Sequence, residues 1–298
     1  MKTQWIRLIQ LLGINTSLYA VVQCFLGACL AANLEAPMNS STPETIQHLV
    51  LVVLENTPFD EALQQPFLKQ LSSKGALLTN YSAVSHPSYP NYVAMISGST
   101  QGIPDDIDIV IRAKHLGDLL EAKGKDWRVY AENFPGNCFR GIVSGPYAKR
   151  HVPFLSFKNV FQNRNRCKKI TSAKNFTQDI HKPNFPEFAL YIPNVKNDGH
   201  DTGVAYADKW LAKVFGNLLS DPSLTEHTLF VITFDEDNGL DNNRVYTLFY
   251  GAGVQPGATS KTQYNHYSLL KTIETIFKLD SLGQLDEPAF PISGIWKN

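Results

Sequence analysis

Largely apolar runs of strand length recur along the chain from residue 48 onward. They cover residues 48–54, 76–79, 127–131, 188–192, 227–234 and 246–250. Because several of these runs are unbroken and rich in β-branched residues, they are typical of strands buried on both faces of a parallel sheet. The stretches 116–122, 205–219 and 267–279 instead carry apolar residues at spacings of three and four, which predicts amphipathic helices. Strands that alternate with helices predict an α/β fold, a three-layer α/β/α sandwich with a mostly parallel central sheet.

The first 36 residues follow a different pattern. Lys2 and Arg7 are followed by residues 8–32, which contain no charged side chain, and polar residues return from Asn33 onward. This order of a charged start, an apolar stretch and small residues is typical of a secretory signal. We therefore expect residues 1–36 to be a signal peptide and the protein to be exported, to the periplasm or to the medium.

Two other interpretations of this leader stay open. The uncharged stretch is long enough to cross a bilayer as a retained anchor, although polar residues dilute it. The segment Leu26-Gly-Ala-Cys29 is similar to a bacterial lipoprotein box, in which case Cys29 would carry a lipid. After the leader, the proline-containing residues 37–46 predict a linker, and residues 47–298 predict a single domain because no internal repeat interrupts them.

Composition narrows the classes of function. The chain of 298 residues is 43% hydrophobic and has 27 Lys plus Arg against 27 Asp plus Glu. This hydrophobic fraction excludes an intrinsically disordered chain. A formal net charge of +0 provides no basic field that would attract a polyanion, so we expect no nucleic-acid partner. We expect membrane contact only through an uncleaved or lipidated leader.

Cysteine usage agrees with export. Cys24 and Cys29 fall in the leader, which leaves Cys138 and Cys167 as the pair in the mature chain. An even number of cysteines in an exported protein predicts a disulfide bond between them. We do not expect a metal site on this pair, because neither cysteine belongs to a CxxC motif or has closely spaced histidines.

Carboxylates follow the predicted strands at the positions where ligands bind in parallel sheets. Glu55 and Asn56 follow the first strand, and Asp235 and Glu236 follow the strand that ends at Phe234. Several carboxylates share a buried position only when a cation compensates their charge. We therefore predict a divalent metal site with these four residues as oxygen ligands. In the alternative interpretation, the first pair caps a helix and the second begins a solvated turn.

A serine in a proline-rich turn is the candidate nucleophile. Pro87 and Pro90 fix the turn ahead of an apolar helical stretch, which places Ser88 near a helix amino terminus, where backbone N–H groups favour an anion. Asn91, one helical turn later, can donate its amide to the same phosphate oxygen. In the alternative interpretation, the serine only caps the helix and the asparagine is a surface amide.

Seven short blocks of this chain resemble, in the same order, those of the phosphoesterase family. They are residues 48–56, 86–92, 130–135, 147–154, 197–201, 234–236 and 265–274. That family unites bacterial and fungal acid phosphatases with bacterial and plant phospholipases C, within the alkaline phosphatase-like superfamily. The resemblance extends over roughly residues 47–294 and implies an alkaline phosphatase-like fold for them.

The resemblance also implies one metal site rather than two. By the family pattern Glu55, Asn56, Asp235 and Glu236 match metal ligands, and Ser88 matches a nucleophile that touches the metal. Glu236 stands where the wider superfamily has a histidine, so the identity of the divalent metal is left open.

Further roles follow from the same resemblance. Asp198, His200 and His266 correspond in position to the second metal site of the superfamily, and we expect them to protonate the leaving group instead. They should then converge on the side of Ser88 that faces away from Glu55. Oriented imidazoles at that place are suited to general acid–base catalysis.

The family pattern also assigns two substrate-binding residues. It matches Asn91 to a phosphate-binding asparagine and His151 to a recurring His-x-Pro-Phe block. We expect an exported, metal-dependent, acid phosphatase-like enzyme that hydrolyses small phosphate monoesters through a phosphoserine intermediate, since metal and covalent catalysis together suit so slow a reaction. The alternatives are a phosphodiesterase of phospholipase C type and a noncatalytic phosphate-binding protein.

Overall fold

The computed structural model describes residues 43–239 and 241–297. The predicted signal peptide, with the alternatives of a membrane anchor or a lipid on Cys29, lies outside the described residues, as does most of the predicted linker. Among the described residues, no helix combines the length and the apolar character needed to cross a membrane.

The described residues contain strands, α-helices and short 3-10 helices. The strands are β1 (His48–Leu54), β2 (Ala76–Leu78), β3 (Tyr81–Ser82), β4 (Trp127–Ala131), β5 (Val143–Ser144), β6 (Tyr147–Ala148), β7 (Ile170–Ser172), β8 (Phe188–Ile192), β9 (Thr228–Phe234), β10 (Thr247–Gly251), β11 (Thr259–Ser260) and β12 (Tyr264–Asn265). The α-helices are α1 (Phe59–Leu63), α2 (Pro66–Lys74), α3 (Ser88–Ser97), α4 (Leu116–Ala122), α5 (Lys158–Phe161), α6 (Arg164–Cys167), α7 (Phe176–Asp179), α8 (Val204–Leu219), α9 (Pro222–Thr225) and α10 (His266–Ile276). The 3-10 helices are Lys149–His151, Pro153–Ser156 and Ala173–Asn175.

Eight of the strands form the central sheet, in the order β11-β2-β10-β9-β1-β8-β4-β7. β10 runs antiparallel to β2 and β9, and the other neighbouring pairs are parallel. β1 lies inside the sheet and is buried along its whole length after His48, which requires cover on both faces. The predicted three-layer α/β/α fold with a mostly parallel sheet is confirmed. The outermost strands β7 and β11 were not predicted, because so few residues give no recognisable apolar pattern.

The amphipathic helices that the sequence predicts are present as α4, α8 and α10. α4 has the predicted bounds, α8 begins one residue earlier, and α10 ends at Ile276 rather than at residue 279. α8 packs on α2 and also caps it, because the Asp208 carboxylate accepts the N–H groups of Phe67 and Leu68 at 3.1 and 2.8 Å. α10 packs on α3.

Helix α3 carries the candidate nucleophile and is buried at every residue. It ends at Gly98, whose φ of 68° is in the left-handed region that favours glycine. A Cβ atom at this position would lie 2.3 Å from Asp286 Oδ1, so no larger residue fits there without rearrangement. Because both the body and the end of α3 are fixed by packing, the position of Ser88 at its start is fixed as well.

Candidate active site

The ends of β1 and β9 deliver the four predicted metal ligands to one edge of the sheet. The last residues of the two strands pair in parallel register, so Glu55-Asn56 and Asp235-Glu236 leave the sheet side by side. Ser88 faces them from the start of α3. Its Oγ atom lies 2.9 Å from Glu236 Oε1, 3.2 Å from Glu55 Oε2 and 3.3 Å from Asn56 Oδ1. Asp235 Oδ1 accepts the Asn56 N–H at 3.2 Å, so the structure brings these five residues together.

This cluster has more hydrogen-bond acceptors than donors. The Ser88 hydroxyl carries one proton, whereas three acceptor oxygens lie within 3.3 Å of its oxygen atom. Among the described residues, the buried Asp235 Oδ2 has no hydrogen-bond partner. Burial, together with the charges of Glu55 and Glu236, raises the pKa of Asp235 well above its usual range. Buried oxygen ligands with uncompensated negative charge suit a divalent cation, so these residues fit the expected metal.

His151 contacts the second oxygen of Glu55. Its Nε2 atom lies 2.8 Å from Glu55 Oε1, its Nδ1 atom lies 3.5 Å from Asp198 Oδ2, and its ring stacks on Tyr92. Burial alone would lower the pKa of His151, but the two flanking carboxylates outweigh this effect and raise it to about 9. The structure differs from the expectation that His151 binds substrate, because its side chain is 1% exposed and is enclosed by protein groups. Ligand atoms of Glu55, His151 and Asp198 lie within 4.8 Å of one another, so this group is compact enough to hold a metal. Among the described residues, the carboxylates of Glu55, Asp235 and Glu236 do not form a group this compact.

Asn91 holds the loop before Ser88 instead of facing a phosphate. Its Oδ1 atom accepts the N–H groups of Val84 and Ser85, each at 3.0 Å. Its Nδ2 atom donates to Ser85 O at 2.8 Å and to Pro87 O at 3.2 Å. The prediction of a phosphate-binding Asn91 is corrected by these contacts, since both amide donors are used within the loop and the side chain is buried.

The backbone at the start of α3 is also partly occupied. The Tyr89 N–H, which would otherwise point out of the helix terminus, donates to Asp106 Oδ1 at 2.9 Å. The second oxygen of Asp106 lies 3.3 Å from Arg150 Nε, next to His151 in the chain. Asp106 already accepts this N–H group. The start of α3 therefore has one free N–H donor fewer for a phosphate than the sequence predicted.

Asp198 and His200 lie on the Glu55 side of the cluster, so their predicted place on the opposite side is wrong. The Asp198 carbonyl accepts the Glu55 N–H at 3.0 Å, and the charge of His200 helps to lower the pKa of Glu55. Burial raises the pKa of Asp198 to about 6, although the nearby His151 ring opposes this shift. The His200 side chain is 36% exposed, and its Nδ1 atom lies 2.8 Å from Asp201 Oδ1. His200 is therefore an oriented imidazole that solvent can reach.

His266 is enclosed on the other flank of the cluster. Its Nε2 atom lies 2.7 Å from the Asp235 carbonyl and its Nδ1 atom lies 3.0 Å from the Tyr81 hydroxyl. Burial lowers the pKa of His266 to about 4, and no part of the residue is exposed. The structure therefore differs from the prediction that His266 protonates a leaving group, because both of its ring nitrogens already have protein partners.

One residue at the cluster was not among the predicted site residues. His86 directs Nδ1 at Glu236 Oε2 and holds Nε2 at 3.4 Å from Asp237 Oδ1. In the sequence, its signals are its place two residues before Ser88 and its place at the start of the block 86–92. Its partners are about 150 residues away, at the end of β9, and nothing in a local motif predicts such a contact.

Cys138 and Cys167 form a disulfide bond, with their Cα atoms 5.2 Å apart. The loop that this bond closes contains β5, β6 and the 3-10 helix that ends in His151. The crosslink therefore restrains the segment that delivers His151 to Glu55, and it restricts the conformations that this segment can adopt in the unfolded chain.

The fold, a mostly parallel central sheet with a serine and carboxylates at its carboxyl edge, is similar to that of solved structures in the alkaline phosphatase superfamily. A protein in the alkaline phosphatase superfamily from Vibrio parahaemolyticus has a similar structure, with a TM-score of 0.58 over 85% of this chain and 73% of that chain, at 14% identity. A probable acid phosphatase of Kluyveromyces lactis is 35% identical over 80% of this chain and 60% of its own length. A phosphatidylinositol-3-phosphatase of Mycobacterium tuberculosis is 32% identical over 90% of this chain and 91% of its own length.

The family assignment follows from the extent of these matches. Residues 62–280, which are most of the chain, match the Phosphoesterase family model. The chain belongs to the phosphoesterase family, and the resemblance inferred from the seven sequence blocks is confirmed. The chain spans only about three fifths of the length of the Kluyveromyces lactis relative.

Proposed function

We propose that the protein is an exported, metal-dependent phosphatase that hydrolyses phosphate monoesters through a phosphoserine on Ser88. The observation that carries this proposal is the position of the Ser88 hydroxyl, with Glu55, Asn56 and Glu236 oxygens within 3.3 Å. A structural serine would need one acceptor, whereas this one lies among ligands that call for a cation. Membership of the phosphoesterase family and the names of the relatives support the same class of substrate.

The chemistry starts at the Ser88 hydroxyl. Its proton faces Glu236 Oε1 at 2.9 Å, so the oxygen lone pairs are free to attack phosphorus. The Ser88 proton passes to Glu236 as the Oγ–P bond forms, and the bond from phosphorus to the leaving oxygen breaks as that oxygen takes a proton from His200. The deprotonated His200 then accepts a proton from the water that cleaves the phosphoserine. A divalent cation bound by Glu55, Asn56, Asp235 and Glu236 would supply positive charge to the serine oxygen and to a phosphate oxygen.

Proton transfer to the leaving group is assigned to His200. His200 is exposed and is oriented by Asp201, whose Oδ1 atom lies 2.8 Å from its Nδ1 atom. His86 is also exposed, but its Nδ1 atom faces Glu236, which is one of the predicted metal ligands. His266, which is enclosed, is assigned to holding the Asp235 backbone. His200→Ala should therefore slow alkyl phosphates much more than p-nitrophenyl phosphate, whose leaving group needs little protonation. Equal losses of rate on both substrates would show that His200 does not protonate the leaving group.

Three substrates separate the possible functions. They are p-nitrophenyl phosphate, p-nitrophenyl phosphorylcholine and a phosphoinositide that carries a 3-phosphate, the last because of the name of the Mycobacterium tuberculosis relative. Metal-analysed protein is assayed on each, with Ser88→Ala as the matched control. We expect the monoesters to be hydrolysed and the diester to be a poor substrate. A preference for the diester would indicate the phospholipase C type, and no turnover of any substrate would indicate a phosphate-binding protein.

Among the described residues, the disulfide bond is the feature that supports export. A disulfide between Cys138 and Cys167 is stable in an oxidising compartment and rare in a reducing cytosol. We propose that the chain folds outside the cytoplasm, with Cys29 available for lipid attachment if the leader is processed as a lipoprotein. Fractionation of the producing cells, with labelling of free thiols before and after reduction, tests this: a reduced cytoplasmic protein would contradict it.

A further inference from the structure

His86 connects two acidic residues that follow β9. Its ring places Nδ1 in contact with Glu236 Oε2 and Nε2 3.4 Å from Asp237 Oδ1. The side chain is 44% exposed, whereas those of Glu236 and Asp237 are 3% and 0% exposed. An imidazole with this much exposure is not held in place by burial of its surface, so its orientation depends on these polar contacts.

Glu236 is held at both oxygens, and each has a different partner. Oε1 accepts the Ser88 hydroxyl at 2.9 Å, and Oε2 faces the His86 ring. A glutamate side chain has three rotatable bonds, and fixing them costs conformational entropy. Contact with His86 therefore selects the rotamer in which Oε1 points to the nucleophile.

On the other side of the imidazole, hydrogen bonds from the backbone hold the Asp237 carboxylate in place. Asp237 Oδ2 accepts the N–H groups of Asp241 and Asn243 at 2.7 and 3.0 Å. The Asn243 amide in turn donates to the carbonyl of Ser85 at 2.7 Å, immediately before His86. The loop after β9 is thus joined to the loop before α3 twice, through the contacts of His86 and through the hydrogen bond from Asn243 to Ser85. These contacts together fix the ring relative to Glu236.

We infer that His86 is a positioning residue, which acts through Glu236. It orients the Oε1 atom, which accepts the Ser88 hydroxyl and would be the oxygen that binds the metal. The inference rests on the proposed function for its activity measurement, but its structural part concerns only how Glu236 is oriented. Groups that hold metal ligands in this way typically contribute 10- to 100-fold to metal affinity or activity.

Two isosteric substitutions test this role. His86→Asn keeps a donor close to the position of Nδ1, which faces Glu236, whereas His86→Gln moves the donor towards the position of Nε2, which faces Asp237. His86→Ala removes both donors. His227→Ala is the matched control, since His227 is exposed and lies before β9, at the end of that strand opposite the site. Each protein is assayed for kcat and KM, for Mn²⁺ binding by calorimetry, and for melting temperature without metal.

We expect His86→Ala to lower kcat and to weaken Mn²⁺ binding, each by about 10- to 100-fold, with KM and melting temperature almost unchanged. His86→Asn should recover most of both losses, and His86→Gln should not. Unchanged kcat and Mn²⁺ binding in His86→Ala, or equal losses in the Asn and Gln variants, would overturn the inference. If the wild type hydrolyses no phosphoester while His86→Ala still weakens Mn²⁺ binding, the proposed function fails and the inference about His86 stands.

Discussion

Asn91 and Ser85 are joined by two hydrogen bonds that run in opposite directions. The Ser85 N–H donates to Asn91 Oδ1 at 3.0 Å, and Asn91 Nδ2 donates to Ser85 O at 2.8 Å. A side-chain amide that pairs with a backbone amide in this way replaces the contacts that a neighbouring strand would make. Because Asn91 is buried within α3, this pair fixes the loop before the nucleophile to the helix that carries it.

Replacing Asn91 with aspartate should damage both the fold and the rate. The new carboxylate would face two carbonyl oxygens at the positions where Nδ2 now donates, and leaving such a group unsatisfied costs about 1–3 kcal/mol. We expect a lower melting temperature and a lower kcat, with KM within a few-fold of the wild type. Denaturation and steady-state kinetics on p-nitrophenyl phosphate provide the measurements. A large rise in KM with unchanged stability would instead indicate that Asn91 binds phosphate, as the sequence predicted.

Asp235→Asn should stabilise the metal-free protein while it removes activity. The Asp235 carboxylate lies close to the charges of Glu55 and Glu236, and these charges together with burial raise its pKa. A neutral amide of the same shape relieves that repulsion and keeps the Oδ1 atom that accepts the Asn56 N–H group, so the metal-free variant should be the more stable protein. Urea denaturation in the presence of a chelator measures the difference in unfolding free energy between the two proteins. When the divalent cation is restored, the wild type should become the more stable protein. A less stable metal-free variant would show that the cluster is not electrostatically strained.

His115 should make stability fall as the pH decreases. The imidazole caps α4 by accepting the Gly117 N–H on Nδ1 at 3.0 Å, while Nε2 lies 3.1 Å from Asn159 Oδ1, which is the pattern of a neutral ring. Burial lowers its pKa to about 4. The unfolded chain, with a pKa near 6.5, therefore binds the proton first, and stability is lost as the pH falls from about 6.5 towards 4.

The expected size of this effect is about 2 kcal/mol between pH 7 and pH 5. It is measured as the change with pH in the difference in unfolding free energy between the wild type and His115→Asn. Asparagine is the control because it also caps helices but does not titrate. If the two proteins lose stability in parallel, His115 is not the source of the pH dependence.

The sequence predicted the parts of the site that depend on strand register. Glu55 and Asp235 each follow a long apolar run, and parallel strands end at a common edge, so their proximity follows from the pattern alone. Ser88 was predictable because Pro87 and the apolar stretch after it define a helix start.

Other residues could not be assigned from the sequence, because a motif gives the type of a residue and not its partner. Asn91 and His266 occupy motif positions, but their polar atoms are used by nearby backbone and by Tyr81, which only packing decides. His86 meets Glu236 across about 150 residues of chain, and that contact depends on how two loops are joined. Long-range side-chain hydrogen bonds of this kind leave no periodic signal in a sequence.

The covalent intermediate on Ser88 is the most direct test of this account. The enzyme is mixed with p-nitrophenyl phosphate, quenched in acid within the first turnovers and digested with trypsin, which releases residues 75–112 as one peptide. We expect this peptide to gain the mass of one phosphoryl group and fragmentation to place the group on Ser88. Ser88→Ala should show neither label nor turnover. Turnover without any labelled peptide, or Ser88→Ala activity above about a tenth of the wild type, would contradict it, since losing a covalent step should cost several powers of ten.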